Sequence, residues 1–327
     1  MEDQILHWAA LEFAPWRGVR LDGLARRQRS IAAASPSIFL FHAVDGQVAF
    51  EAKPGADPLH LQRAELYRAF FERTIRDFAI DARGSFLIGV HDRGHSRYDV
   101  PVFEYQKQRG ADTMLLPDVD LLAMGFLADE CFEDGVAFAD KKDEAIFVGS
   151  TTGGIISATT VHTLEHPRLR AAVYFKDKPG ITFELPVIVQ CDSPETEALV
   201  AALDVGGRRR TWAEQFCYKY LLSIDGNGAN CSRVALALRS HSLLVKYNSP
   251  WQLFYFHGLE AWHHYLPVRR DDDVVAILGR GEDTAARDAT IVANANAFAR
   301  EYISEQSCQR FTADLLRQYF AQFDSLA

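Results

Sequence analysis

An apolar run passes directly into a glycine- and asparagine-rich turn and then into a helical segment, LLSIDGNGANCSRVALAL, residues 221–238. That order of strand, turn and helix is the repeating piece of a parallel α/β sheet. Gly226 and Gly228 allow close approach of another group to the backbone. Ser232 reads as the helix N-cap, and Arg233 falls in the first turn. There its guanidinium can meet phosphate oxygens beside the free N–H groups of the helix start. A tight surface turn with Arg233 facing water accounts for the spacing equally well.

Similar alternation runs along most of the chain. SIFLFHA and QVAFEA flank the turn VDG, a hairpin signal. From Pro58, Leu61, Leu66, Phe70 and Phe71 recur at helical spacing. SFLIGV and VPVFEYQ read as strands, so the first part is predicted as an α/β layer with a mostly parallel sheet. The chain becomes acidic and loop-like between Leu121 and Glu144, which marks a boundary and gives domains 1–135 and 136–327. Beyond it EAIFVG, RLRAAVYF, LLSIDG, SLLVKYN and HHYLPV read as strands. TWAEQFCYKY, SRVALALRS and WQLFYFHGL read as helices, and three more helical segments follow from Asp271.

Composition narrows the function classes. The chain has 327 residues and a net charge of −9, so bulk electrostatic binding of nucleic acid is not expected. The five cysteines are scattered with no CxxC pair, which supports neither a disulfide framework nor a zinc knuckle. No stretch reaches the roughly 20 apolar residues of a membrane span. MEDQILHWAALEFAPW lacks the basic and apolar regions of a signal peptide. Together these predict a cytoplasmic protein; peripheral association with a membrane stays compatible with them.

Two further places can carry chemistry. In FVGSTTGG, residues 147–154, a strand ends in Ser150, Thr151 and Thr152, whose hydroxyls can donate to phosphate or sugar; alone, such a run is more often a solvated turn. Ligands in open α/β sheets bind at such strand ends. In FLIGVHDRGH, Asp92 follows an apolar strand between His91 and His95; a strand-end cap on local N–H groups is the commoner fate of such an aspartate. No standard ligand spacing supports a metal. Nor is a dinucleotide fingerprint present: Cys231 stands where the third glycine belongs, and no acid lies near Lys246 and Tyr247. The Walker and GxSxG patterns are also missing.

The block from Tyr218, YKYLLSIDGNGANCSRVALALRSHSLLVKYNSPWQLFYFHGLEAWHHYLPVRRDDDV, resembles the signature of glycosyltransferase family 90. FLIGVHD with PVFEYQK, and FVGSTTG, are similar to its upstream segments. The family includes protein O-glucosyltransferases, capsule xylosyltransferases and bacterial lipopolysaccharide-type enzymes. The resemblance implies a GT-B architecture: two Rossmann-like domains facing a cleft, an acceptor-side domain and a nucleotide-sugar domain with C-terminal helices. It also implies metal-independent, inverting transfer of glucose or xylose from a UDP-sugar to a hydroxyl of a glycan, lipid-linked glycan or protein, with no further cofactor. Asp92 then takes the place of the base, and Arg233 that of the phosphate-binding arginine. Gly149, Ser150, Thr151, Gly226, Asn227, Gly228, Ser232 and Lys246 complete the donor site. Val148 and Ile156 stand where the family carries arginines, and its acid falls near Gln252 or Leu253. That loss of charge opens a second expectation, a catalytically degenerate nucleotide-sugar binder, unless Lys246, Arg168 or Arg170 substitutes.

Overall fold

A computed structural model describes residues 2–92, 97–229, 231–281 and 284–323; His95 and Asn230 lie outside them. The chain is α/β and divides into two compact units. Unit 1 comprises Met1–Ala128, Pro250–Gly258 and Glu301–Ala327, and unit 2 comprises Asp129–Ser249 and Leu259–Arg300.

Unit 1 is built on β1 (Ile38–Val44), β2 (Gln47–Phe50), β3 (Gly84–Gly89), β4 (Val102–Glu104) and β6 (Met114–Leu115), in the order β2-β1-β3-β4-β6. The hairpin β1–β2 turns at Asp45 (φ 50°) and Gly46 (φ 80°), the two left-handed residues that match strand twist. Only β3, β4 and β6 are parallel; β1 runs antiparallel to both its neighbours, so this sheet is mixed. The helix Pro58–Asp77 forms as its spacing predicts, capped by Asp57, and buries Tyr67, Phe70 and Phe71. Phe71, Phe86 and Phe103 form an aromatic core, and the helix Glu305–Gln322 closes it with Tyr319. The Tyr319 hydroxyl donates to the Ser85 carbonyl at 2.8 Å.

A two-stranded antiparallel ribbon also belongs here: β5 (Lys107–Gln108) pairs with β11 (Trp251–Gln252). WQLFYFHGL is therefore no regular α-helix but this two-residue strand followed by a 3-10 turn at Phe254–His257. Phe254 and Tyr255 are buried, so the aromatic run serves packing.

In unit 2, β7 (Lys142–Ser150), β8 (Ile181–Val187), β9 (Tyr218–Ser223), β10 (Leu243–Tyr247) and β12 (Leu266–Val268) form one sheet in the order β12-β10-β9-β7-β8. Every pairing is parallel. From β7 the chain moves to one side for β8 and to the other for β9, β10 and β12. The order therefore reverses between β7 and β9, the topological switch point where doubly wound sheets bind ligands. RLRAAVYF, expected as a strand, lies in the helix Pro167–Phe175. Pro167 at its first turn and His166 as N-cap are helix-start chemistry that outweighs the apolar run.

Candidate functional site

The loops after β7 and β9 are the two that reading the sequence singled out, and they meet at the switch point. Arg168 joins them. Its Nη1 donates to the Ser150 carbonyl (2.9 Å) and to Thr152 Oγ1 (2.8 Å). Its Nε donates to the Asp225 carbonyl (3.0 Å) and Nη2 to the Ile224 carbonyl (3.2 Å). Gln190 makes a second clasp: its Oε1 accepts from Gly153 N (3.1 Å) and its Nε2 donates to Asn227 Oδ1 (2.9 Å). Gly226 is required by this closeness, since a Cβ there would stand 2.6 Å from both Arg168 Nη2 and Thr152 Oγ1.

Arg233 projects inward from the first turn of the helix Cys231–Arg239 and is only 5% exposed. Its Nη2 donates to the Val148 carbonyl (2.6 Å) and Nη1 to Gln215 Oε1 (3.1 Å), while Nε is buried with no partner among the described residues. The guanidinium stands 4.5 Å from the centre of the Phe147 ring and 4.8 Å from that of Trp212. Arg168 lies 5.2 Å from the same Phe147 ring. Burial pushes the Arg168 guanidinium down to about 10, partly opposed by Asp225. Burial and then the charge of Arg168 push Arg233 down to about 9. Both stay protonated at neutral pH. Neither has a carboxylate within ion-pair distance among the described residues.

The other expected donor-site residues take varied positions. Gly149 lies beside the Phe147 ring, and the Ser150 hydroxyl donates to Thr152 Oγ1 at 3.2 Å. Thr151 is fully buried: its hydroxyl donates to the Val189 carbonyl and accepts from the Val189 amide, each at 2.8 Å. Gly228 accepts from Gly226 N (3.2 Å), which tightens the turn. Because the helix begins at Cys231, Ser232 sits inside its first turn rather than at the N-cap. Lys246 is buried at the end of β10 near Asp225, whose carboxyl burial pushes upward against Ser249, Lys246 and Arg168. Val148 and Ile156 are buried and apolar, with Ile156 bridging Cys191 in the backbone.

Asp92 lies in unit 1, just beyond β3. Its Oδ1 meets Arg63 Nη1 at 2.7 Å and accepts from the Tyr105 hydroxyl at 2.8 Å. Gln106 Nε2 donates to its backbone carbonyl. Burial alone would raise the carboxyl, but the Arg63 charge, the hydrogen bonds from Tyr105 and Arg63, and His91 together hold it below its ordinary value. No group of three or more His, Cys, Asp and Glu side chains among the described residues is placed to hold a metal ion.

Arg168 and Gln190 are the residues whose clasping role the spacing did not reveal. Arg168 hides in a run read as a strand, and Gln190 holds a left-handed backbone (φ 64°) that no local pattern signals.

Comparison with known proteins places this geometry among relatives. An uncharacterized protein, 035R, of Invertebrate iridescent virus 3 is 29% identical over 194 residues, covering 57% of this chain and 18% of the viral protein. Protein O-glucosyltransferase 3 of Homo sapiens is 25% identical over 105 residues, 32% of this chain and 20% of the human protein. Protein O-glucosyltransferase 2 of Danio rerio is 27% identical over 105 residues, 32% of this chain and 21% of its own length. The matched part thus spans about a fifth or less of each relative. The pattern of Glycosyl transferase family 90 matches residues 173–325, a region that holds β9 with its glycine turn, the helix of Arg233 and β10 with Lys246. That match and the similarity to the two O-glucosyltransferases support membership of glycosyltransferase family 90.

Proposed function

We propose that this chain is an inverting, metal-independent glycosyltransferase of GT-B type that moves glucose or xylose from a UDP-sugar to an acceptor hydroxyl. Unit 2 holds the donor and unit 1 supplies the base. The acceptor is a glycan, a lipid-linked or lipopolysaccharide-type glycan, or a protein, met in the cytoplasm or at a membrane surface.

One observation carries the reading: two buried guanidinium groups stand at the switch point of a parallel sheet with no carboxylate at ion-pair distance among the described residues. Buried charge that lacks a counter-ion is costly, and an anion entering the site relieves that cost. A diphosphate suits the place. The start of the helix Cys231–Arg239 offers the partial positive charge that suits a developing anion. Ser150, Asn227, Ser232 and Lys246 add polar contacts, and Thr151 holds the loop from behind. As the bond from the anomeric carbon to the phosphate oxygen breaks, the electron pair leaves with UDP. The acceptor oxygen attacks from the opposite face while Asp92 takes its proton.

UDP should raise the melting temperature of the chain, whereas GDP should do so less. Asp92→Asn should cut transfer by roughly 10²–10⁴-fold and leave UDP binding intact. Undiminished turnover would reject the base assignment. Val148 and Ile156 favour a second reading, a degenerate nucleotide-sugar binder. Calorimetric UDP binding without transfer or donor hydrolysis over a panel of donors and acceptors would select it.

A further inference from the structure

An aspartate beside a strand end, with its side chain 44% exposed, ordinarily samples several rotamers. Asp92 is instead gripped on one side. Arg63 Nη1 and the Tyr105 hydroxyl both address Oδ1, and Gln106 holds the backbone carbonyl of the same residue. Among the described residues nothing is bonded to Oδ2.

The two donors are themselves fixed. Arg63 projects from the helix Pro58–Asp77, donates to the Val90 carbonyl at 2.8 Å and to the Tyr105 oxygen at 3.3 Å, and lies over the Tyr105 ring. Its side chain is 14% exposed, and Tyr105 is buried. Because the single hydroxyl proton of Tyr105 points at Asp92, Tyr105 acts there as a donor.

We propose that Arg63 and Tyr105 are positioning residues that pin Oδ1 of Asp92 and leave Oδ2 as the atom that accepts the proton of the acceptor hydroxyl. The inference rests on the reading of Asp92 as base. In the step, the hydroxyl proton moves to Oδ2. The freed oxygen pair forms the new bond to the anomeric carbon, and the bond to the departing phosphate oxygen breaks with its pair going to UDP. Water later takes the proton from Asp92. A carboxylate held in one orientation supplies the near-attack geometry on which such a transfer depends.

Charge around the carboxylate sets its pH range. The helix Pro58–Asp77 contributes His60 and Arg63; Tyr105 faces it from the segment after β4, and His91 is its neighbour in the chain. Asp57 acts on His60, and Asp120 on Arg63. Burial, His91 and Arg63 outweigh Asp57 and Asp92 and keep His60 below the ordinary imidazole value. Arg63 is therefore the fixed positive charge of this group. Since the deprotonated carboxylate is the active form, losing that charge moves the acid limb of the rate profile to higher pH.

The test uses the full chain with Arg63→Gln, Arg63→Lys and Tyr105→Phe. The pH profile of kcat/KM for transfer is read alongside a carbon-detected NMR titration of the Asp92 carboxyl. Arg63→Gln should lower kcat roughly 10- to 100-fold, leave donor KM nearly unchanged, and shift both the acid limb and the carboxyl titration upward. Tyr105→Phe should act in the same direction with smaller effect. Arg63→Lys should restore the acid limb but only part of kcat, because an ammonium lacks the planar fork. If Arg63→Gln fails to fold, Tyr105→Phe still decides. A carboxyl titration and acid limb that stay in place in these variants would overturn the inference. If instead the titration shifts but Asp92→Asn still transfers sugar, the positioning contacts stand and the base assignment falls.

Discussion

Beyond β3 in unit 1 a carboxylate meets a guanidinium, while beyond β7 and β9 in unit 2 two guanidinium groups are buried with no carboxylate at ion-pair distance among the described residues. The first arrangement is balanced. Arg63 keeps Asp92 ionised and oriented, and the partly exposed pair needs nothing added. The second is unbalanced. Arg168 and Arg233 place their hydrogen bonds on carbonyl, amide and hydroxyl oxygens, which leave their charge uncompensated. A balanced pair suits a group that must stay put through a proton transfer, whereas an excess of buried charge suits a site completed by an anionic ligand.

The strongest way to break this contrast is Arg168→Met. It removes one charge and the donor shared by four acceptors on both loops. The chain should lose more than about 3 kcal/mol of stability, and the melting shift induced by UDP should disappear. Were the buried charge only a cost, the apolar replacement would leave stability unchanged or raise it. Thermal melts with and without UDP separate the outcomes.

A pH titration sharpens the contrast next. His166 caps the helix that carries Arg168, accepting from Leu169 N, and burial together with Arg168 pushes it down to about 4. Between the ordinary value of 6.5 and about 4 the unfolded chain binds a proton that the folded chain does not. Stability therefore falls as pH drops through that window, by up to about 3 kcal/mol. His166→Asn keeps a cap acceptor and should flatten the dependence, as denaturant unfolding at several pH values would reveal. Asp92 acts at lower pH: its depressed carboxyl contributes above the ordinary aspartate value and loses that contribution on further acidification.

The smallest expected effect comes from Thr151→Val. This near-isosteric change removes both bonds to Val189 and should cost about 1–2 kcal/mol with little change in UDP affinity measured by calorimetry. A large fall in affinity would put the Thr151 hydroxyl on the ligand and weaken the division between holding and binding groups in the loop.

How much of this was legible depends on range. The hairpin at Asp45–Gly46, the helix from Pro58 and the strand–turn–helix around Gly226 could be read because each is specified within a dozen residues by spacing and turn chemistry. RLRAAVYF and WQLFYFHGL were misleading because short apolar or aromatic runs fit a strand or a helix until their surroundings decide. With the first misreading went the clasp: Arg168 looked like one basic residue among several, and nothing near it in sequence announces its four carbonyl and hydroxyl partners.

The sequence by itself determined the α/β class, the two loops that flank the switch point, the candidacy of Asp92 and Arg233, and the family resemblance, since all of these live in short contiguous patterns. Only the tertiary structure decided that the helix Glu305–Gln322 packs into unit 1, that the sheet order reverses between β7 and β9, that Arg168 ties the two loops, and that Oδ1 of Asp92 is held while Oδ2 has no partner among the described residues. Those contacts join residues tens to hundreds of positions apart. They exist because burial brings unlike segments together and buried polar groups must then find partners wherever the fold has placed them.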